Sequence, residues 1–208
     1  MPTHCKEGLQ PSPRLRARGV PRGEVIYEVG ATGQTWRLIS GIVRLDRDDA
    51  SGPQFASLAL AGDLLGSELL LHDCYVFRAT ALTTCRIEPW LPPPAEQGYR
   101  PLLERLTALE ARAADLLALR TGSPLDRVSR LLRLLAGGDL SARATRIALP
   151  RLRDMAEMTN LAGETVSRAF SELRRQGVLT RDGHRRASVS SMVAALDPAV
   201  PLQEAARR

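Results

Sequence analysis

The chain has 208 residues but only one lysine, Lys6; every other cation is an arginine. It has three cysteines and three histidines. Cys5, Cys74 and Cys85 form an odd, widely spaced trio, which does not read as a disulfide framework and points to a reducing compartment. His4, His72 and His184 fall in separate segments. A metalloenzyme on a cupin-like jelly roll needs clustered ligands, so the chain is not expected to be an enzyme. No apolar run approaches the roughly 20 residues that span a bilayer, and the N-terminus lacks the apolar core of a secretion signal. These absences point to a cytoplasmic protein without a membrane partner.

What is present is ordinary in amount and unusual in placement. With 44% hydrophobic and 25% charged residues, the composition is that of a globular protein long enough for two modest domains. The net charge of +6 is not spread evenly. Residues 1–121 hold 14 Lys+Arg and 14 Asp+Glu; residues 122–208 hold 15 arginines against 9 acidic residues, which is the whole excess of +6. A basic C-terminal half is the electrostatic footprint of a nucleic-acid binder. The alternative, an arginine bias of the source genome, would not sort the charge by segment.

That half also contains the most informative pattern, from Arg153 to Leu173. Met155, Ala156 and Thr159 form the inward face of a short helix. Asn160 is a residue that can take the left-handed conformation and end it. Val166, Ala169, Phe170 and Leu173 then recur at helical spacing, and Glu164, Ser167, Arg168 and Ser171 form the opposite face. Such a second helix suits a DNA major groove. Arg168 can give two parallel donors to guanine O6 and N7, Glu164 can accept from the cytosine N4 amino group, and Ser167 is short enough to let the helix sit deep. The plainer readings are a helix-start acid for Glu164 and a solvated charge for Arg168. Leu161-Ala162-Gly163 supplies no Ser or Thr cap, so the helix is expected to begin at Gly163 with a weaker one. Arg151, Arg153, Thr165, Arg185 and Arg186 are candidate phosphate contacts, which supply affinity and salt dependence.

The rest of the chain predicts an α+β protein. Residues 1–22, rich in Pro and Arg, read as an irregular leader. Residues 23–98 carry a β-roll, or jelly-roll-like, sensor-type domain: up to residue 90, short alternating runs are broken by glycine. Asp46–Pro53 reads as a hairpin tip, and Pro92-Pro93-Pro94 as the end of the sheets. A helix is expected from Tyr99 to Arg120, within a dimerisation segment 99–121. Its Leu102, Leu106, Leu109, Ala113 and Leu116 recur in steps of 4, 3, 4 and 3, a coiled-coil seam. Leu103 and Leu117 widen the apolar face, so part of it can pack on the β-roll. The alternative is a core helix of a monomer. Gly122-Ser123-Pro124 reads as a hinge, with Ser123 capping and Pro124 opening a new helix. Residues 122–190 then read as a winged helix-turn-helix, with a short strand around Ile147–Leu149 and a wing from Val178 to Val189 turning at Asp182-Gly183. The tail 191–208 is left open between helix and disorder.

The run Glu164-Thr165-Val166-Ser167-Arg168, followed by Leu173 and by Gln176-Gly177-Val178-Leu179, resembles the recognition helix and wing of the CRP/FNR family of bacterial transcription regulators. Gly23–Gly30, Trp36–Leu45 and Gly62–Leu69 are similar to successive parts of that family's β-roll, in the same order, so the resemblance covers roughly residues 23 to 189. It implies a homodimer about the long helix, with double-stranded DNA and RNA polymerase as partners and a small-molecule effector whose identity is open. Glu-x-x-Ser-Arg is similar to the FNR subgroup, which implies an inverted repeat with TGA-containing, TTGAT-like half-sites. Cyclic-nucleotide-binding relatives hold the phosphate with Gly-Glu-Leu and a later Arg-Ser or Arg-Thr. Here Gly66 is followed by Ser67 and Glu68, and Tyr75 and Val76 stand at the later pair. Arg78 could serve only with a shift of register. This pocket is therefore not expected to hold cyclic AMP. An iron–sulfur cluster of the FNR kind needs four thiolates, one more than the chain has. No cofactor is expected. The alternatives are haem near His72 and Cys74, with Pro2, His4 and Cys5 reaching in, loosely similar to the family's carbon-monoxide sensor, or a redox switch at Cys74 or Cys85. A further alternative is a protein-interaction module whose helix-turn-helix does not touch DNA. Activation versus repression, target genes and the role of the leader stay open.

Overall fold

The computed structural model describes residues 17–50, 52–91, 100–137, 145–182, 186–190 and 192–193. Eight short strands build the N-terminal half: β1 (Arg18–Val20), β2 (Val25–Tyr27), β3 (Trp36–Ser40), β4 (Val43–Asp49), β5 (Gly52–Ala59), β6 (Leu64–Leu65), β7 (Arg78–Ala81) and β8 (Cys85–Pro89). They form two antiparallel four-stranded sheets, ordered β1-β8-β3-β6 and β2-β7-β4-β5. Alternation decides what each face does. On β7, Ala79 and Ala81 are buried while Arg78 and Thr80 are half-buried. Val20, Leu38, Val43, Leu65 and Ile87 are fully buried in the same hydrophobic cluster.

Two expectations for this half are corrected. The stretch read as an irregular leader contains β1, which pairs with β8 from Arg18↔Ile87 to Val20↔Cys85. Three residues are too few to show a period, and only the partner strand reveals them. The hairpin tip is also shorter than Asp46–Pro53, because the β4–β5 ladder continues to Asp49↔Gly52. Asp46, read as a turn residue, is buried within the ladder, where its carboxylate accepts a 2.6 Å hydrogen bond from Arg44.

The helix α1 (Arg100–Ala118) lies against the β-roll through polar contacts. Arg112 donates to Asp63 at 3.0 Å, and Arg105 lies 5.9 Å over the Trp90 ring. The outer face differs from the expected seam. Leu116 packs against its own core, while Leu103 and Leu117, expected to help cover the β-roll, are 58% and 72% exposed. Leu106 and Leu109 are exposed beside them, at 52% and 60%. The reason is largely angular: Arg105, Arg112, Leu116 and Leu119 share the inward side of the helix, so residues 103, 106, 113 and 117 point away, while Leu109, on the same stripe as Leu116, stands at the edge of the packed side and is exposed. Tyr99, Pro92–Pro94 and the side chain of Leu102 lie outside the described residues.

The C-terminal half comprises α2 (Pro124–Leu135), β9 (Thr145–Ala148), α3 (Leu152–Thr159), α4 (Gly163–Arg175), β10 (Leu179–Arg181) and β11 (Arg186–Val189). A capping box starts α2: the Ser123 hydroxyl accepts from Asp126 N at 3.2 Å, and the Asp126 carboxylate accepts from Ser123 N at 3.0 Å, with Pro124 in the first turn. Val128, Leu131 and Leu132 are then fully buried. The strands form a sheet ordered β10-β11-β9, so the wing hairpin is extended by the strand that precedes α3. Gly183, expected in the wing turn, lies outside the described residues. Ile42, Leu58, Leu60 and Leu82 of the β-roll belong to the same hydrophobic cluster as Leu119, Leu131 and Phe170, so the two halves share a core. No described helix is long and apolar enough to cross a membrane.

Leu131 is fully buried at the centre of that shared cluster. Leu131→Ala is expected to destabilise the fold by about 2–5 kcal/mol through lost burial and a residual cavity, measured by urea unfolding.

Candidate nucleic-acid interface

The turn between α3 and α4 is set by local chemistry. Asn160 takes the left-handed conformation (φ 50°, ψ 51°) that closes α3. The buried Thr159 hydroxyl donates back to Met155 O at 2.7 Å, and Leu161 N donates to Ala156 O at 3.0 Å. Ala156 itself is half-buried in the middle of α3, and only its carbonyl reaches the turn. Ala162 caps α4 without a side-chain hydrogen bond. Thr165 N and Val166 N instead donate to its carbonyl at 3.0 and 3.1 Å. The carboxylate of Glu164 in the first turn complements the positive end of the helix dipole.

The two faces of α4 are cleanly separated. Val166, Ala169, Phe170 and Leu173 are buried, and Glu164, Ser167, Arg168 and Ser171 are exposed. An acid, an arginine and two short hydroxyls on one solvent-facing stripe are the groups that can meet base edges. Among the candidate phosphate contacts, Arg151, Arg153 and Arg186 are exposed and Thr165 is half-buried. Arg185 lies outside the described residues. Two cations that the sequence reading passed over, Arg22 and Arg174, line a groove beside α4 together with Arg151, Ser167 and Phe170. Arg22 was hidden in the segment taken as leader; only the fold brings it to α4.

A second arginine site joins the halves. Arg44, 11% exposed at its side chain, donates from Nε to Asp46 at 2.6 Å and from Nη1 to Glu157 of α3. Its guanidinium lies 5.6 Å over the Phe55 ring. Burial works against the charge on Arg44, but the hydrogen bonds to Glu157 and Asp46 outweigh it and raise the pKa, so the cation is held. Glu157 also lies 3.8 Å from Arg153.

The structure gathers most of the expected effector pocket, and fills it with protein. Tyr75 is 3% exposed and stacks on Tyr27, with ring centroids 3.8 Å apart and planes 9° from parallel. Its hydroxyl donates to Gln34 O at 2.7 Å and accepts from Gln34 N at 3.0 Å. A Cβ at Gly33 would fall 2.3 Å from the Tyr75 hydroxyl and one at Gly66 2.4 Å from the ring; Gly66 is also left-handed, with φ 70°. Ser67 begins the 3-10 turn Ser67–Leu70, and Glu68 in that turn accepts from Val76 N at 3.4 Å. Burial is the main cause that raises the pKa values of both tyrosines, with Glu68 adding to it. Arg78 does not join this group: on β7 it pairs with Glu28 at 3.3 Å and stands opposite Asp46. Cys85 is buried and hydrogen-bonded to the Ile42 and Thr83 carbonyls, and burial pushes its thiol up, which disfavours the reactive thiolate. Cys74 is half-buried. Among the described residues no group of His, Cys, Asp and Glu is arranged to hold a metal ion.

Comparison with known proteins agrees with this geometry. Residues 116–194 match the family described as the Crp-like helix-turn-helix domain. A CRP-family transcriptional regulator from Thermus thermophilus is 28% identical, with 86% of this chain and 94% of that one covered at a TM-score of 0.64. A second Thermus thermophilus regulator, of the CRP/FNR family, is 23% identical over 87% of this chain and 97% of its own, at 0.63. FixK2 from Bradyrhizobium japonicum is 24% identical over 90% of this chain and 99% of its own, again at 0.64. No curated protein matches the chain. A β-roll, a long connecting helix and a helix-turn-helix with an open polar face make the fold similar to that of these CRP/FNR-type regulators, and residues 116–194 form a Crp-like helix-turn-helix domain.

Proposed function

We propose that the protein acts as a homodimer on an inverted repeat with TGA-containing, TTGAT-like half-sites, and does so without cyclic AMP. The observation that carries this reading is the exposed trio Glu164, Ser167 and Arg168 on a helix whose other face is buried. Arg168 reads guanine, Glu164 reads cytosine on an adjacent pair, and Ser167 allows close approach. Arg151, Arg153, Thr165, Arg185 and Arg186 hold the phosphates flanking each half-site. RNA polymerase is the further partner that a transcription regulator of this type meets. In a selection from random DNA, the wild type is expected to yield a two-fold repeat. Arg168→Ala should lose about 1–3 kcal/mol of preference at one guanine. Arg186→Ala should weaken all sequences alike and lower the salt slope by about one unit. A consensus without a two-fold repeat, or an unchanged guanine preference in Arg168→Ala, would sink this reading. Binding that is independent of salt would favour a protein-interaction module instead.

The dimer rests on the outward stripe of α1. Leu103, Leu106, Leu109 and Leu117 each expose half or more of their surface, and an apolar stripe of that length on a helix is stable in water only when covered. A second copy of α1 covers it by knobs-into-holes packing. Leu109→Arg buries an unpaired charge at that seam, a change of about 3–5 kcal/mol. Sedimentation should show monomers; an unchanged dimer would remove the stripe from the argument.

Independence from cyclic AMP rests on the Tyr27–Tyr75 stack, which occupies the pocket between Gly33 and Gly66, and on Arg78, which is engaged with Glu28. An anionic phosphate there meets a ring and Glu68 rather than a guanidinium. Calorimetry with cyclic AMP is expected to detect no micromolar binding; a clear micromolar isotherm would overturn the point.

A further inference from the structure

We infer that Arg44, on the sensor-side sheet, is a positioning residue for DNA recognition: through Glu157 it fixes the direction in which the α3–α4 pair faces, and with it the spacing between half-sites that the dimer accepts. This rests on the dimeric reading above. Four observations carry it.

Arg44 cannot move independently of its sheet. Strand β4 is an inner strand, flanked by β7 and β5. The side chain is nearly enclosed, tied to Asp46 at 2.6 Å and stacked over Phe55. The same guanidinium then reaches across to α3. A planar fork can satisfy one carboxylate from each half at once, in a fixed relative direction, which an ammonium cannot do.

Its partner stands next to the turn. The Glu157 carbonyl accepts from Asn160 N at 3.3 Å, so the residue gripped by Arg44 is itself part of the backbone bend that aims α4.

Two other ties between the halves constrain angle less. The shared cluster around Ile42, Leu58 and Phe170 is apolar, and apolar contact is non-directional. Arg130, which donates at 2.8 Å to both Ala118 O and Thr121 O, acts at the hinge itself. The Arg44–Glu157 pair joins elements that the hinge does not.

Finally, the contact is a poor source of stability. The Glu157 side chain is 44% exposed, and ion pairs with a wet partner contribute little. What the pair supplies is orientation. In this orientation Glu164, Ser167 and Arg168 are uncovered, which leaves them open to DNA. Two recognition helices must meet major grooves about 34 Å apart, and a free α3–α4 direction would blur that distance.

The test uses the full-length protein and duplexes carrying two copies of the half-site selected by the wild type, with the spacer varied one base pair at a time, together with a duplex carrying a single half-site. Wild type should prefer one spacing. Glu157→Gln should flatten the preference between the best spacing and its neighbours by about fivefold or more, leave base preference and melting temperature close to wild type, and leave single-half-site affinity unchanged or slightly raised, since Arg153 loses an acidic neighbour. Arg44→Lys, which keeps the charge without the fork, should flatten it likewise. A Glu157→Gln protein with the wild-type spacing profile would overturn the inference, as would one whose single-half-site affinity falls by the same factor as its affinity for the repeat, because Glu157 would then act on DNA contact rather than on direction. A wild type that shows no preference for any spacing would instead overturn the dimeric reading on which this rests.

Discussion

Val166 and Leu173 are both fully buried, and they lie two turns apart on α4. Together with Ala169 and Phe170 they press one side of that helix into the cluster that also holds Leu131, Met158 and Ile42. The opposite side keeps a defined bearing, as the proposed DNA reading requires, only because this side is fixed. A helix seated on apolar contacts alone is held at a distance but can still tilt, because apolar attraction has no preferred direction. The surrounding structure supplies the missing direction by polar means: the left-handed Asn160 at the turn, the Thr159 hydroxyl folded back on Met155, and the arginine contacts at Arg127, Arg130 and Arg44.

Guanidinium groups recur wherever one element is joined to another. Arg112 ties α1 to the β-roll at Asp63, Arg130 closes the end of α1 from within α2, and Arg127 donates to the Thr159 carbonyl at the end of α3. Each contact aims guanidinium N–H groups at fixed oxygen acceptors, and the rigid fork of arginine holds a direction that a point-charge ammonium does not. The scarcity of lysine thus has a structural counterpart, whatever its genomic origin.

Legibility in the sequence followed the range of the interaction. The helix-turn-helix was readable because its determinants are local: a 3.6-residue apolar period, one Asn able to turn left-handed, and a Ser-Pro start for α2. The start of α4 at Gly163 and its weak cap were legible for the same reason. Strand β1 was not, because three residues carry no period and their partner, β8, lies far along the chain. The seam of α1 was half legible. The heptad identified an apolar stripe, but which edge of it faces outward depends on where Asp63 captures Arg112. The Arg44–Glu157 contact, between residues 113 positions apart, leaves no trace in composition or spacing. Tyr75 lies between these extremes. Its position marked a departure from the cyclic-nucleotide pattern, while its stacking on Tyr27 and its reliance on Gly33 could be seen only in three dimensions.

The tyrosine stack has an evolutionary consequence. Gly33 and Gly66 are shaped to the Tyr75 ring, and neither tolerates a side chain while the ring is there. Replacing the ring alone would leave a hollow bordered by Tyr27 and Glu68, suited to a small neutral molecule and hostile to an anion. Building a phosphate-binding pocket here would require loss of the ring and gain of a cation together, with the first step costing packing before the second gives any binding. An anion would therefore find a site in this part of the β-roll only after two changes made together, one at Tyr75 and one that adds a cation.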